Sequence, residues 1–206
     1  MLISDEAICA FGRLGHWFTC EKFGYRPDLI TFAKAVTSGY IPPGGMLVGN
    51  RVAQVLIEQG GEFNHGYICS GHPVACAVAL ANIDVMEREN LPGRVQGDIG
   101  PYLALRFAEL GAHPLVGLAE TCGFMAGLVL VKNKAKQEAF KPQLGAGMRC
   151  RSHCFRLGLV MRAVGDRMII APPLVMTHAQ IDEMVALIRC CLDATLVELK
   201  AAGQLD

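Results

Sequence analysis

Short apolar runs alternate with glycine- and proline-rich turns in the first part of the chain. Residues 1–4, 29–33 and 46–48 read as strands, each bounded by polar or turn residues. Residues 52–58 read as a short helix and 60–72 as a polar, aromatic loop. Pro73 suits the first turn of a helix, and 74–89 follows as a helix expected to be mostly buried, broken at Leu91-Pro92-Gly93. The pattern then changes. Residues 99–110 are amphipathic and stop at Gly111, and 124–131 predict a strand followed by the solvated run Lys132-Asn133-Lys134. A helix over 148–157 ends at Gly158, and 159–163 and 168–171 predict a strand pair around Gly165-Asp166. Thr177 and Gln180 form a capping-box pattern for the last helix. Within it Ile181, Met184, Val185, Ile188, Cys191, Leu192, Leu196 and Leu199 keep helical spacing as far as Gly203. The expectation is an α/β part to about Glu89 and a smaller α+β part after it.

Composition narrows the class. The chain has 206 residues, 52% hydrophobic and 18% charged, which is globular rather than disordered. Its formal net charge is zero with no basic run, so nucleic-acid binding lacks electrostatic support. Asp5 and Glu6 stand where a secretory signal carries positive charge. The longest uncharged stretch, 66–83, contains Gly71, His72 and Pro73 and reads as loop plus buried helix rather than a membrane span. Nine cysteines without a disulfide-scaffold spacing predict reduced thiols in a cytoplasmic protein.

Asp5 and Lys34 each sit where an apolar strand should end, with glycine-rich sequence after each. In an α/β sheet, ligands bind outside the carboxyl ends of strands. An acid and an amine delivered to that edge could hold a cofactor at two points: a lysine forms a Schiff base, and an aspartate keeps a pyridine nitrogen protonated. Each taken alone also fits a surface residue marking a strand end. Arg162 closes the apolar run 159–161 and could clamp a substrate carboxylate, although its spacing favours pairing with Asp166. His65, Cys69, His72 and Cys76 do not match a zinc spacing, and Cys76 is expected on the buried face of its helix. Cys150 and Cys154 are expected in a core, with His153 on the surface. No G-x-G-x-x-G, Walker or G-x-S-x-G motif is present.

Four stretches together resemble the class III aminotransferases, above all the omega-amino-acid and polyamine–pyruvate type. They are Ser4-Asp5-Glu6 to Gly15, Thr31-Phe32-Ala33-Lys34-Ala35 to Tyr40, Gly61-Glu62-Phe63 to Ser70-Gly71-His72-Pro73, and Gly158 to Arg162 continuing to Pro172-Pro173-Leu174. The resemblance implies a fold type I pyridoxal 5'-phosphate enzyme. Residues 1–95 would be the C-terminal part of the cofactor-binding large domain, and 96–206 the α+β small domain. It also implies a Schiff base on Lys34, a pyridinium partner in Asp5 and a substrate-carboxylate clamp in Arg162. The implied reaction is a ping-pong transfer between an amine donor and a keto acid such as pyruvate, in a homodimer if full length. Lys34 attacks only as the neutral amine, which burial and a nearby positive ring would favour.

Two departures stand out. Ile68 and Cys69 replace the family's threonine and tyrosine, and Ile68 has no side-chain donor for the neighbouring subunit's cofactor phosphate. Glu120-Thr121-Cys122-Gly123 stands where relatives often have Arg-Gly-x-Gly, and Thr121 would strain a backbone needing glycine angles. Relatives extend much further at the N-terminus, so a C-terminal portion with weak cofactor binding and little activity alone is expected. Another class III chemistry (aminomutase or decarboxylase) and an inactive remnant or dimerising fragment are the alternatives.

Overall fold

A computed structural model describes residues 1–205, which divide into two compact units, Met1–Gln96 and the remainder from Gly97. The first unit is built on a three-stranded sheet of order β1-β2-β3, with β1 Ile3–Asp5, β2 Leu29–Phe32 and β3 Gly45–Val48. β1 and β2 are parallel, with Ile3 opposite Leu29 and Asp5 opposite Thr31, while β3 returns antiparallel to β2. The crossover between β1 and β2 carries a one-and-a-half-turn helix, α1 Thr19–Phe23, that stops at left-handed Gly24. Such a short helix has no periodicity to read in sequence, and it was not expected. Asp28 anchors the start of the sheet: Oδ2 accepts from Leu2 N at 2.7 Å and Oδ1 from Arg51 Nε at 3.0 Å. The Arg51 guanidinium and the Leu2 amide hold its carboxyl down at about 2. Under the β1–β2 crossover, Phe11 meets Phe18 and Phe32 with ring centroids 5.7 Å apart in each pair.

Helices α2 Asn50–Gln59 and α3 Pro73–Arg88 follow, with the expected irregular loop between them. The expectation that α3 is mostly buried fails. Only Ala75 and Met86 are buried along it, and Val74 and Leu80 are more than half exposed. Cys76, placed by sequence on a buried face, is exposed. An apolar face states that cover is favourable; it does not supply the covering surface. Among the described residues nothing closes over that face of α3. A short helix α4, Leu91–Arg94, follows the break, where Asn90 turns through left-handed backbone (φ 46°).

The second unit packs α5 Gly100–Ala108, α6 Ala146–Arg156 and α7 His178–Ala201 with a four-stranded sheet of order β4-β5-β7-β6. Its strands are β4 Val116–Cys122, β5 Met125–Leu130, β6 Arg162–Val164 and β7 Arg167–Ile170, all antiparallel to their neighbours. Phe107, Phe124, Leu103, Leu110, Ile181 and Ile188 are fully buried and form its core. The expected strand over 159–163 begins only at Arg162; Leu159 and Met161 are buried without joining the ladder. β4 was missed because Gly117, Glu120 and a register shift between Val116 and Leu118 break its alternation. Thr121 lies in this strand opposite Ala126 and has no positive φ, so the anticipated strain is absent.

The α7 capping box forms as the sequence indicates, Gln180 N donating to Thr177 Oγ1 and Thr177 N to Gln180 Oε1. Its buried stripe matches the predicted positions except at one step, where Thr195 is buried and Leu196 only half-buried. Thr195 tolerates burial because its hydroxyl donates to Cys191 O at 2.7 Å. Cys150, Cys154 and Cys191 are buried where α6 meets α7, and His153 is half-buried, bonding Glu198 Oε2 at 2.8 Å.

His113 is buried in this unit. Its Nδ1 accepts from Leu115 N at 3.2 Å, so Nε2 carries the proton toward Asp193 Oδ1, also at 3.2 Å. Burial lowers its pKa more than Asp193 raises it. The unfolded chain therefore takes up a proton that the folded chain resists. Stability should be lost as pH falls through the ordinary histidine range near 6.5. Melting curves between pH 7.5 and about 5 should fall more steeply for the native chain than for His113→Gln, which keeps a donor and an acceptor but does not titrate. Parallel curves would refute the assignment.

Candidate active site

Asp5 ends β1, and Lys34 lies two residues beyond the end of β2. Because those strands are parallel neighbours and Asp5 stands opposite Thr31, both residues are delivered to the same carboxyl edge of the sheet. Asp5 Oδ1 accepts from Thr31 Oγ1 at 3.0 Å and from Ala7 N at 3.2 Å. The Ala7 amide, then the Thr31 hydroxyl and more weakly the Lys34 charge, lower the Asp5 pKa, so the carboxylate stays ionised. Both bonds end on Oδ1, which leaves Oδ2 for a ligand.

The edge is held from behind by a residue that sequence reasoning did not single out. Glu6, only 1% exposed, accepts from Thr19 N at 2.5 Å and from Cys20 N at 3.2 Å with its two carboxylate oxygens. It also accepts from Ser4 Oγ at 3.2 Å, and its own amide bonds Thr31 O at 2.9 Å. A buried carboxylate facing the free amides of a helix start is well compensated. Glu6 thereby ties the end of β1 to α1 and to β2, fixing the backbone on which Asp5 stands. The acid after Asp5 was visible in the sequence; its burial was not.

Lys34 is exposed in this chain, against the expectation of burial. It begins a one-turn 3-10 helix, Lys34–Thr37, with φ at 42°. Left-handed backbone costs a non-glycine residue about 1–3 kcal/mol and collects at functional sites. Ser38, which ends the same turn, is also left-handed (φ 50°). The lysine thus sits in a short element strained at both ends.

The large concavity of this unit is not the pair itself. A cleft of about 1090 Å³ is lined by aromatic and apolar groups including Phe11, Trp17, Phe18, Phe32 and Val36, and by neither Asp5 nor Lys34. The chemistry-bearing groups stand at the strand ends, as the rule for open α/β sheets requires. Ile68, on the loop before α3, is fully exposed.

Arg162 belongs to the second unit, at the start of β6 opposite Ile169, and is exposed. Asp166, the partner its spacing favoured, has an oxygen engaged elsewhere: Oδ1 accepts from Gly147 N at 3.0 Å. Among the described residues no three histidine, cysteine or acidic side chains converge to hold a metal. No helix among them is long and apolar enough to cross a membrane.

The Aminotransferase class-III family profile matches residues 1–192. The putrescine–pyruvate aminotransferase of Pseudomonas aeruginosa is 53% identical over 201 residues, covering 98% of this chain and 44% of that one. A chloroplastic gamma-aminobutyrate transaminase of Solanum lycopersicum is 36% identical over 188 residues, 90% of this chain and 36% of the relative. The solved PMP-bound aminotransferase from Vibrio fluvialis superposes with a TM-score of 0.90 at 37% identity, over 95% of this chain and 44% of that structure. The chain therefore spans less than half the length of the relatives it matches, and both of its units have their counterpart in a transaminase of fold type I. On the matched profile, the strand-end acid and lysine and the shared fold, this chain belongs to the class III aminotransferases.

Proposed function

We propose that this chain supplies the lysine and aspartate of a pyridoxal-phosphate-dependent transamination. The reaction moves nitrogen from an omega-amino acid, diamine or other amine to a keto acid such as pyruvate, in ping-pong order. The observation that carries the reading is the delivery of Asp5 and the Lys34 turn to one edge by two parallel strands in register. When bound, pyridoxal 5'-phosphate supplies an electron sink for charge developing on the substrate carbon.

The residues fit that group at two points. Asp5 is kept ionised by Ala7 and Thr31, as a partner for a protonated ring nitrogen must be. The Lys34 amine stands on the same edge and would be the nucleophile that holds the cofactor through its aldehyde carbon. Lys34 Nζ would be the base that takes the proton from the substrate carbon and returns it. Arg162 is assigned the substrate carboxylate. The putrescine–pyruvate relative favours a diamine donor and pyruvate as acceptor. Nine cysteines without a disulfide-scaffold spacing suit a reducing, cytoplasmic setting. The complete enzyme is assigned as a homodimer.

Incubating the 206-residue chain with pyridoxal phosphate, reducing with borohydride and mapping the adduct by mass spectrometry tests the reading. The adduct should concentrate on Lys34. An even spread over exposed lysines such as Lys22 would overturn it. In Asp5→Asn the adduct should persist, while pyruvate-dependent turnover falls by roughly 10²–10³-fold, since the charge on the ring nitrogen is lost but the amine is not.

A further inference from the structure

The Lys34–Thr37 turn is closed by backbone alone, Ser38 N donating to Ala35 O at 3.1 Å and Val36 N to Ala33 O at 3.2 Å. Ala33 and Ser38, the residues that flank it, give no side-chain cap, and left-handed backbone stands at both Lys34 and Ser38. The side-chain hold comes from α3, across a long sequence separation. Asn82 Nδ2 donates to Ala35 O at 3.0 Å and to Val36 O at 3.1 Å, and Asn82 Oδ1 accepts from Ser38 Oγ at 2.8 Å. The orientation of the amide is determined by these partners. Turned over, Oδ1 would face two carbonyl oxygens, an arrangement with no donor in it. One side chain therefore satisfies Val36 O, adds a second bond to Ala35 O and fastens the far end of the turn.

We propose that Asn82 is a positioning residue for Lys34: it stabilises the strained turn that presents the lysine amine at the strand edge. The inference rests on Lys34 being the cofactor lysine. Asn82 touches no reacting atom and acts through the backbone of residues 34–38. Without it Val36 O turns to water, Ala35 O keeps only the Ser38 amide, and the left-handed conformers at Lys34 and Ser38 relax toward ordinary backbone. The amine then samples many positions.

The test is competition between lysines within one chain. After limited exposure to pyridoxal phosphate and borohydride, the ratio of adduct at Lys34 to adduct at Lys22 is read by peptide mass spectrometry. Lys22 lies on α1 and serves as the exposed reference. Asn82→Ala should lower that ratio by roughly fivefold or more, the effect of losing one or two net hydrogen bonds. Asn82→Asp, nearly the same volume, should lower it as well, because it keeps the acceptor for Ser38 but sets a carboxylate against two carbonyls. Far-UV circular dichroism and Lys22 labelling should stay native. An unchanged ratio in either folded variant overturns the proposal. So does global unfolding of both, which would make Asn82 a general stability residue. If the native chain shows no preference for Lys34, it is the assignment of the cofactor lysine that fails, a result separable from either variant outcome.

Discussion

Lys34→Gly should abolish adduct formation at this site and lower any pyruvate-dependent turnover by roughly 10⁴-fold, because nucleophile and proton carrier are one amine. The same change should leave the fold intact or raise its stability by about 1 kcal/mol, since φ at Lys34 is 42° and glycine enters that region without steric cost. The side chain is exposed, so no buried contact is lost. This opposition of signs is diagnostic. An ordinary surface lysine replaced by glycine loses stability and leaves activity alone; a lysine held in strained backbone for its chemistry does the reverse. Thermal melts beside turnover measurements decide the matter, and a lower melting temperature with activity retained would remove Lys34 from the site.

Gly147→Ala should destabilise the second unit by about 3 kcal/mol, on the order of a 10 °C fall in its melting temperature. A Cβ at this position would lie 2.1 Å from Gly165 O and 3.1 Å from Asp166 Cα. Both obstacles are backbone, belonging to the turn between β6 and β7, so neither can rotate away. Gly147 N also donates to Asp166 Oδ1, and any shift that relieves the clash stretches that bond. The close approach is what lets the start of α6 seat on the hairpin bearing Arg162. Gly127→Ala is the matched control. Its Cβ would meet nothing nearer than Met168 O at 3.6 Å, ordinary contact, and its effect should be small. Equal effects at the two positions would mean that glycine flexibility, not crowding, governs this unit.

Local chemistry explains which elements were legible. The α7 cap depends on residues three apart, and its buried stripe on helical spacing, so both could be read directly. Asp5 and Lys34 were visible as polar residues closing apolar runs, and their family resemblance named the cofactor. β4 and α1 escaped because a bulge broke the alternation of the one and brevity hid the period of the other. The buried α3 was an over-reading of composition: Val74 and Leu80 are apolar, yet exposed.

Sequence alone determined the three strands of the first unit, the long capped helix and the polar residues that close two of those strands, because each is written in neighbouring residues. Only the tertiary structure decided that β1 and β2 run parallel in a register that brings both groups to one edge. It also decided that Glu6 is buried behind that edge, and that an asparagine from α3 braces the turn carrying the lysine. The reason is physical. Hydrogen bonds and contacts between residues distant in the chain depend on where the backbone returns, and that return follows from packing the whole unit rather than from any local preference.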